Sequence, residues 1–267
     1  MPQAKLFVKL IAHTPQPENA VAMAAKLCYS GAHIEDHQTA VSGADNAAFL
    51  QKLVDMGHAS PIEHVSFTFG AEGVSRVLLA QLTRHRIASF SVQSQRYVGQ
   101  TGEGLCYVVP PAIAGLGGDH AQEYERQMEQ IRAWYDEWCR LLGKGESGNE
   151  DARFVLPGAT ETRLMMTMNA RELLHFFRLR CCMRAQWEIR AMAWAMLGHC
   201  LATAPALFAA AGPSCRQGAC QEGKMSCGKM AAVCGCLDGL ARFVELHKNG
   251  EDFAARLSEW ASANARL

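Results

Sequence analysis

What this 267-residue sequence lacks is the first guide to it: it has no net charge, with 26 basic against 26 acidic side chains. That balance excludes a general nucleic-acid or membrane coat, although a neutral total can hide a strongly positive pocket. No apolar stretch reaches the roughly 18 residues needed to span a bilayer. Met1 to Ala12 has no basic start, long apolar run or small-residue cleavage site, so a cytoplasmic protein is expected. Neither a Walker spacing nor G-x-G-x-x-G is present, which removes the standard phosphate-loop readings. A paired C-x2-C knuckle is also missing. Cys215, Cys220, Cys227, Cys234 and Cys236 follow spacings of x4, x6, x6 and x1, so no metal site is assigned. The eleven cysteines are odd in number and scattered, and reduced thiols are expected.

There is no internal repeat, low-complexity tract or long linker, and residues 1–267 are read as a single domain. At this length roughly 70–75% of the unfolded chain's surface can be buried, so the core needs no staple. The Gly-rich, Cys-rich segment of about 213–236 is left without an assigned structure.

What is present alternates in character. Lys5 to Ile11 and Leu105 to Val109 read as strands, the second stopped by Pro110-Pro111. Val65 to Phe69 alternates apolar and polar with period two, as a half-buried strand does. Glu18 to Cys28 is helix-like, and Asp45 to Met56 places Phe49, Leu50, Leu53 and Val54 on one side before Gly57. Val74 to Leu82 is a short apolar segment. From Gln122 to Leu142, apolar residues recur at helical spacing up to Gly143. A second long helix is predicted from Arg184 to about Ala211, ended by Gly212-Pro213, and a shorter one from about Asp252 to Ala265. Strands and helices mix without a regular βαβ repeat, which predicts an α+β fold with an antiparallel or mixed sheet flanked by long helices.

The most informative stretch runs from Arg84 to Tyr97, where Arg84, His85, Arg86 and Arg96 stand among hydroxyls and amides. A guanidinium keeps its charge and grips phosphate or carboxylate through two parallel hydrogen bonds. A phosphorylated ligand suits such a loop, and so does a solvated basic surface with a few ion pairs.

Arg84-His85-Arg86, seven residues and then Ser94 resembles the signature of flavin-dependent thymidylate synthases. Gly57 to His64 before the Val65–Phe69 strand, Ala152 to Pro157, Asn169 to Leu173, Leu179-Arg180 and Ala185 to Arg190 follow in that family's order and spacing. The resemblance covers roughly Lys5 to Phe208 and implies the thymidylate synthase-complementing protein fold. It implies methylation of dUMP to dTMP, with methylenetetrahydrofolate as carbon donor and FAD, reduced by NADPH, as hydride donor. It also implies a homotetramer with active sites made from more than one subunit, and no nucleic-acid or membrane partner.

By the same resemblance, Arg180 is the catalytic residue, contacting the uracil ring and favouring charge on its N3 side. A permanent cation is suited to stabilising a developing anion. Gln81, Arg84, Ser94, Gln95, Arg96, Arg153 and Arg180 are implied to hold dUMP. His58, Ser60, Glu63, Arg84, His85, Arg86, Ile87, Asn169, Arg171 and His175 are implied to hold FAD. Local readings stand beside these. Asn169-x-x-Glu172 is a helix start in which Asn169 caps and Glu172 reaches back. Arg180 has Glu172 and Glu188 as alternative partners, Arg96 and Arg153 suit surface ion pairs, and His58 and His85 suit structural roles.

The chain departs from the family pattern at Ser91-Val92, where Asn-Glu is common. Valine carries no charge, which implies altered nucleotide or flavin binding there, and a catalytically weakened homologue is the alternative reading. Cys181 and Cys182, next to Arg180, are candidate nucleophiles by position but are read as packing residues. An RNA-binding module is disfavoured by the few aromatics near Arg84–Arg96. A purely structural oligomer leaves the separated arginines without a role.

Overall fold

In the computed structural model, residues 2–101, 105–143 and 145–265 are described. The α+β expectation holds. One small antiparallel sheet contains β1 (Phe7–His13), β2 (Ser66–Ser75), β3 (Ser89–Val92) and β4 (Glu161–Asn169) in the order β1-β2-β4-β3. Period-two burial extends the Val65–Phe69 reading: Phe67, Phe69 and Ala71 are buried along β2, and Thr162, Leu164, Met166 and Met168 along β4. Methionines rather than β-branched residues fill much of β4, which left it without a strand signal in the sequence.

The chain divides into two compact units, Met1–Phe7 with Ala71–Arg84 and Phe90–Met165, and Val8–Gly70 with His85–Ser89 and Met166–Leu267. In the first unit, α4 (Arg76–Leu82) starts at Ser75, whose Oγ accepts from the Leu78 N–H at 3.0 Å. Helix α5 (Pro111–Leu116) precedes α6 (Gly118–Leu142), the long amphipathic helix, which ends at Gly143 with φ 90°. It buries Met128, Tyr135 and Cys139, while Trp138 on the same predicted stripe stays largely exposed. Tyr135 and Cys139 pack with Ala152 at the end of α7 (Glu146–Ala152). The Tyr135 hydroxyl accepts from the Gln100 N–H at 3.2 Å, and burial pushes its pKa up to about 12.

Leu105 to Val109 does not form a strand. Tyr107 alone bridges, to Gln3 on one side and Thr160 on the other. Pro110 and Pro111, lacking N–H donors, stop the pairing from extending.

The second unit places α1 (Pro17–Leu27), α2 (Ile34–Ser42) and α3 (Ala47–Asp55) before β2. Leu50 and Leu53 of α3 are buried as predicted, and Gly57 follows it at φ 71°. After β4 come α8 (Ala170–Arg180), α9 (Trp187–Thr203), α10 (Pro205–Phe208), α11 (Met230–His247) and α12 (Phe253–Asn264). The predicted helix from Arg184 to Ala211 is thus two helices. Gln186 caps α9, its side-chain oxygen accepting from Glu188 and Ile189, and Pro205 ends it by forcing Ala204 out of helical geometry. Residues 213–236 also take a definite form: two 3-10 turns, Ser214–Gln217 and Gly223–Met225, and then the start of α11.

Helix α9 is buried from Glu188 to Cys200. Gly198 lets α12 lie against it, since a Cβ there would stand 2.6 Å from Leu257. The buried Arg190 guanidinium is satisfied by the carbonyls of Met183, Ala185 and Ala265. Val8, on edge strand β1, donates to Ser258 Oγ of α12 at 2.9 Å and accepts from His199 Nε2 of α9 at 3.0 Å. Burial keeps the His199 imidazole neutral by lowering its pKa. Among the described residues, no helix is long and apolar enough to cross a membrane.

In the first unit Gly73 has φ 71°, and a Cβ there would fall 1.8 Å from the Lys5 carbonyl oxygen. Gly73→Ala is therefore expected to lower the unfolding free energy by at least about 2 kcal/mol, combining left-handed strain with a backbone collision. Urea denaturation of the two proteins checks this, and an unchanged midpoint would contradict the close approach.

Candidate active site

Helix α8 carries much of the candidate chemistry, and its start fixes which way that chemistry points. Asn169 ends β4 with extended backbone and caps α8, its Oδ1 accepting from the Glu172 N–H at 2.9 Å. Leu173, Phe176 and Phe177 then face the core, while Arg171, His175 and Arg178 line the exposed side at helical spacing.

A cavity of about 460 Å³ beside α8 is lined by Arg171, His175 and Arg178 together with Gly57 and Ala59. A second, of about 340 Å³, includes His58 and Ser60 and shares Gly57 and Ala59 with the first. Glu63 pairs with Arg171. The structure thus gathers His58, Ser60, Glu63, Arg171 and His175 around two adjoining hollows in the second unit, with Asn169 at the foot of the same helix. Arg86 and Ile87 are exposed on the 85–89 segment.

At the far end of α8, a third cavity of about 260 Å³ is lined by Arg178, Arg180, Cys182, Cys215, Cys220 and Cys227. Cys181 is fully buried, and burial pushes its thiol well up, which suits packing rather than nucleophilic attack. Among the described residues, no three histidine, cysteine or carboxylate side chains are grouped to hold a metal ion.

His85 sits differently from the other matched positions. It is 6% exposed, packed edge-on against Phe176 with centroids 4.9 Å apart. Its Nδ1 lies 3.2 Å from Glu172 Oε1, and its Nε2 lies 3.0 Å from Arg180 Nε. Glu172 therefore turns to His85 rather than back to the helix start, and His85 accepts a hydrogen bond from Arg180. Burial lowers the His85 pKa, Glu172 raises it, and the Arg180 and His175 charges lower it further.

The positions matched to dUMP other than Arg180 lie in the first unit. Arg96 is gripped by Glu146 at 2.6 Å and by Glu150 at 2.9 Å, and its carbonyl accepts from Asn149. Arg153 donates to the Glu150 carbonyl at 3.1 Å. Ser94 Oγ accepts from the Arg96 N–H at 3.2 Å, Gln81 is half-buried on α4, and Arg84 is exposed.

Two features were missed by reading the sequence. Arg76 donates to the Gln93 carbonyl at 2.9 Å, and its pKa is lowered by burial and then by the charge of Arg153. Its Nε and Gln95 Nε2 are buried without a hydrogen-bond partner. The available signal was a single arginine inside the otherwise apolar Val74–Leu82. Glu172 was read as a capping residue and as an alternative partner of Arg180, but not as the partner of His85.

Residues 9–206 match the thymidylate synthase complementing protein family. The chain belongs to this family. A flavin-dependent thymidylate synthase of Geobacter sulfurreducens is 51% identical over 228 residues, 85% of this chain and 95% of that protein. One from Nitratidesulfovibrio vulgaris is 48% identical over 240 residues, 86% of this chain and 97% of that protein. Among solved structures, the UMP/dUMP methylase PolB from Streptomyces cacaoi, bound with 5-Br dUMP, superposes with a TM-score of 0.66. It is 27% identical, covering 78% of this chain and 94% of its own. The resemblance carried by Arg84-His85-Arg86 and Ser94 is therefore a family relationship, and the fold expected from it holds. The family match ends before Cys215, so the C-terminal cysteines lie outside it.

Asn169→Ala removes the cap that directs α8 and is expected to cost about 1 kcal/mol of stability, with Asn169→Ser recovering most of it. Thermal or urea unfolding of the three proteins tests this. Equal stability of the alanine variant would show that the β4–α8 junction is held by other contacts.

Proposed function

We propose that this chain methylates dUMP at C5 to give dTMP, taking the carbon from methylenetetrahydrofolate with FAD as redox cofactor and NADPH as its reductant. The observation that carries this reading is α8, a helix of the matched family whose exposed side lines hollows with Arg171, His175 and Arg178 and whose end holds Arg180 against a buried imidazole. The relatives named as flavin-dependent thymidylate synthases and the structural neighbour bound to a dUMP analogue support the same assignment.

The residues fit the two ligands in distinct ways. Arg171, His175, His58 and Ser60 offer cationic and hydrogen-bonding groups around adjoining hollows, which suits a large anionic dinucleotide. When bound, the flavin supplies hydride-transfer chemistry that no side chain here possesses. In the first unit, burial and the charge of Arg153 lower the Arg76 pKa, and Arg76 Nε and Gln95 Nε2 are buried without a hydrogen-bond partner. An anion placed there relieves the repulsion and satisfies the donors, so this cluster suits the phosphate of dUMP, with Ser94 and Arg96 beside it. Binding requires the Arg96 guanidinium to share or exchange its contacts with Glu146 and Glu150.

Arg180 orients the pyrimidine and stabilises negative charge on its N3 side as C5 becomes nucleophilic. A guanidinium serves as a fixed cation there and gives up no proton. Asn169 and Arg171 orient the cofactor while they also start α8 and pair with Glu63. The protein works in the cytoplasm as a homotetramer whose sites draw on more than one subunit.

The test begins with the visible spectrum of the purified protein with FAD, then anaerobic NADPH, dUMP and methylenetetrahydrofolate, with dTMP measured by chromatography. Flavin bands that bleach and return with dTMP formation are expected. Arg180→Ala should keep the flavin bands and lose at least about a hundredfold in dTMP rate. A protein that binds no flavin, or an Arg180→Ala variant of undiminished rate, would defeat the assignment.

A further inference from the structure

The contact of His85 with Glu172 and Arg180 permits a protonation assignment. A guanidinium N–H only donates, so His85 Nε2, 3.0 Å from Arg180 Nε, must present its lone pair. The ring proton then sits on Nδ1, where Glu172 Oε1 accepts it at 3.2 Å. Glu172 and Arg180 are eight residues apart on α8, about 12 Å along the axis, and His85 bridges them beside Phe176. The Glu172 and His85 side chains are 8% and 5% exposed, so water competes little for either contact.

From this geometry we infer that Glu172 and His85 are positioning residues for Arg180: the carboxylate holds His85 as the neutral Nδ1–H tautomer, and the Nε2 lone pair fixes the rotation of the guanidinium. The inference rests on the proposed role of Arg180 at the pyrimidine. It also separates His85 from the other positions matched to the flavin, since both ring nitrogens are engaged within the protein and the ring is buried. A permanent cation needs no proton relay, but the direction in which it points decides how well it meets charge developing in the transition state. Glu172 thus acts at one remove, through a tautomer, as outer carboxylates do for histidines that hold metals.

The arrangement has a definite pH dependence. Among the described residues, the charged and titratable groups that act on His85 are Glu172, His175 and Arg180, all on α8. Protonation at Nε2 removes the acceptor and sets two cations face to face. Because the pKa in the fold lies below the ordinary histidine value, the contact is intact at neutral pH and is lost as pH falls through that lowered value.

Long-range proton–nitrogen correlation on protein labelled with 15N-histidine reports the tautomer directly, and needs neither dUMP nor turnover. His85, identified by its loss in a His85→Gln variant, should show Nδ1–H at neutral pH. Glu172→Gln should weaken the preference for Nδ1–H, because the amide can donate to Nδ1 as well as accept from it. The same variant should lose about tenfold in kcat for dTMP while KM for dUMP changes less than about threefold. An Nε2–H or charged His85 in the unaltered protein overturns the inference, and so does a Glu172→Gln variant with unchanged tautomer and kcat. Should Glu172→Gln fail to fold, two replacements of His85 decide the matter. His85→Gln sets an acceptor near the Nε2 position and should stay within about threefold of the original kcat, with its acid limb flattened. His85→Asn is too short to reach Arg180 and should lose at least about tenfold. The reverse order defeats the inference. If the unaltered protein makes no dTMP, the activity assignment fails while the tautomer measurement still tests the contact.

Discussion

The turn at Asn169, where β4 becomes α8, is the constraint on which the candidate site depends. Up to Met168 the chain alternates buried and open side chains with the period of a strand. One residue later its period is that of a helix, and the Asn169 side chain fixes the changeover by taking the Glu172 N–H. The Ala170 N–H is tied in turn to the Val65 carbonyl, just before β2. With the phase set, Leu173 is buried, Phe176 and Phe177 enter an aromatic cluster with Phe67 and Phe208, and the same rotation carries Arg171, His175 and Arg178 outward. Core packing and the aim of the cationic groups are consequences of one helix phase.

Several buried polar groups serve this architecture by tying its elements together. Edge strand β1 would present an unpaired N–H and carbonyl at Val8, but Ser258 and His199 occupy both, which joins the strand to α12 and α9. Arg190 does the same for carbonyls around the start of α9 and the end of α12. That gives the arginine of the Trp187-Glu188-Ile189-Arg190 run a structural role without assigning it to a ligand. The buried His85–Glu172 contact follows the same rule and adds orientation at Arg180, where α8 ends.

Charge is distributed with equal economy. The chain is neutral as a whole, and most surface arginines of α6 pair within one turn, as Arg126 with Glu123 and Arg140 with Glu137 do. Such exposed pairs contribute little to stability. Positive charge is instead concentrated at Arg76, where burial and the charge of Arg153 both disfavour the bare cation, and along the exposed side of α8. Val92 ends β3 half-buried, and the neighbouring Gln93 is bound through its backbone to Arg163 and Arg76.

Reading the sequence alone determined the class of the fold and the family, and it singled out the groups proposed to carry the chemistry. Those signals are local: the stripe of α6, the Gly57 stop after α3, the Asn169 start of α8, and the Arg84-His85-Arg86 pattern with Ser94. The ends of α9 were less legible because that helix is buried on all sides, so it has no polar face to mark its limits, and only Pro205 breaks it. Strand β4 was hidden by its methionines, and Leu105–Val109 was read as a strand although its pairing stops at Tyr107. Tertiary structure alone decided which polar groups meet. His85 and Arg180 are 95 residues apart, as are Glu172 and His85 by 87, and no periodicity encodes such a pairing. It arises because burial leaves each of these groups few partners, and the geometry of α8 brings the complementary donors and acceptors within reach.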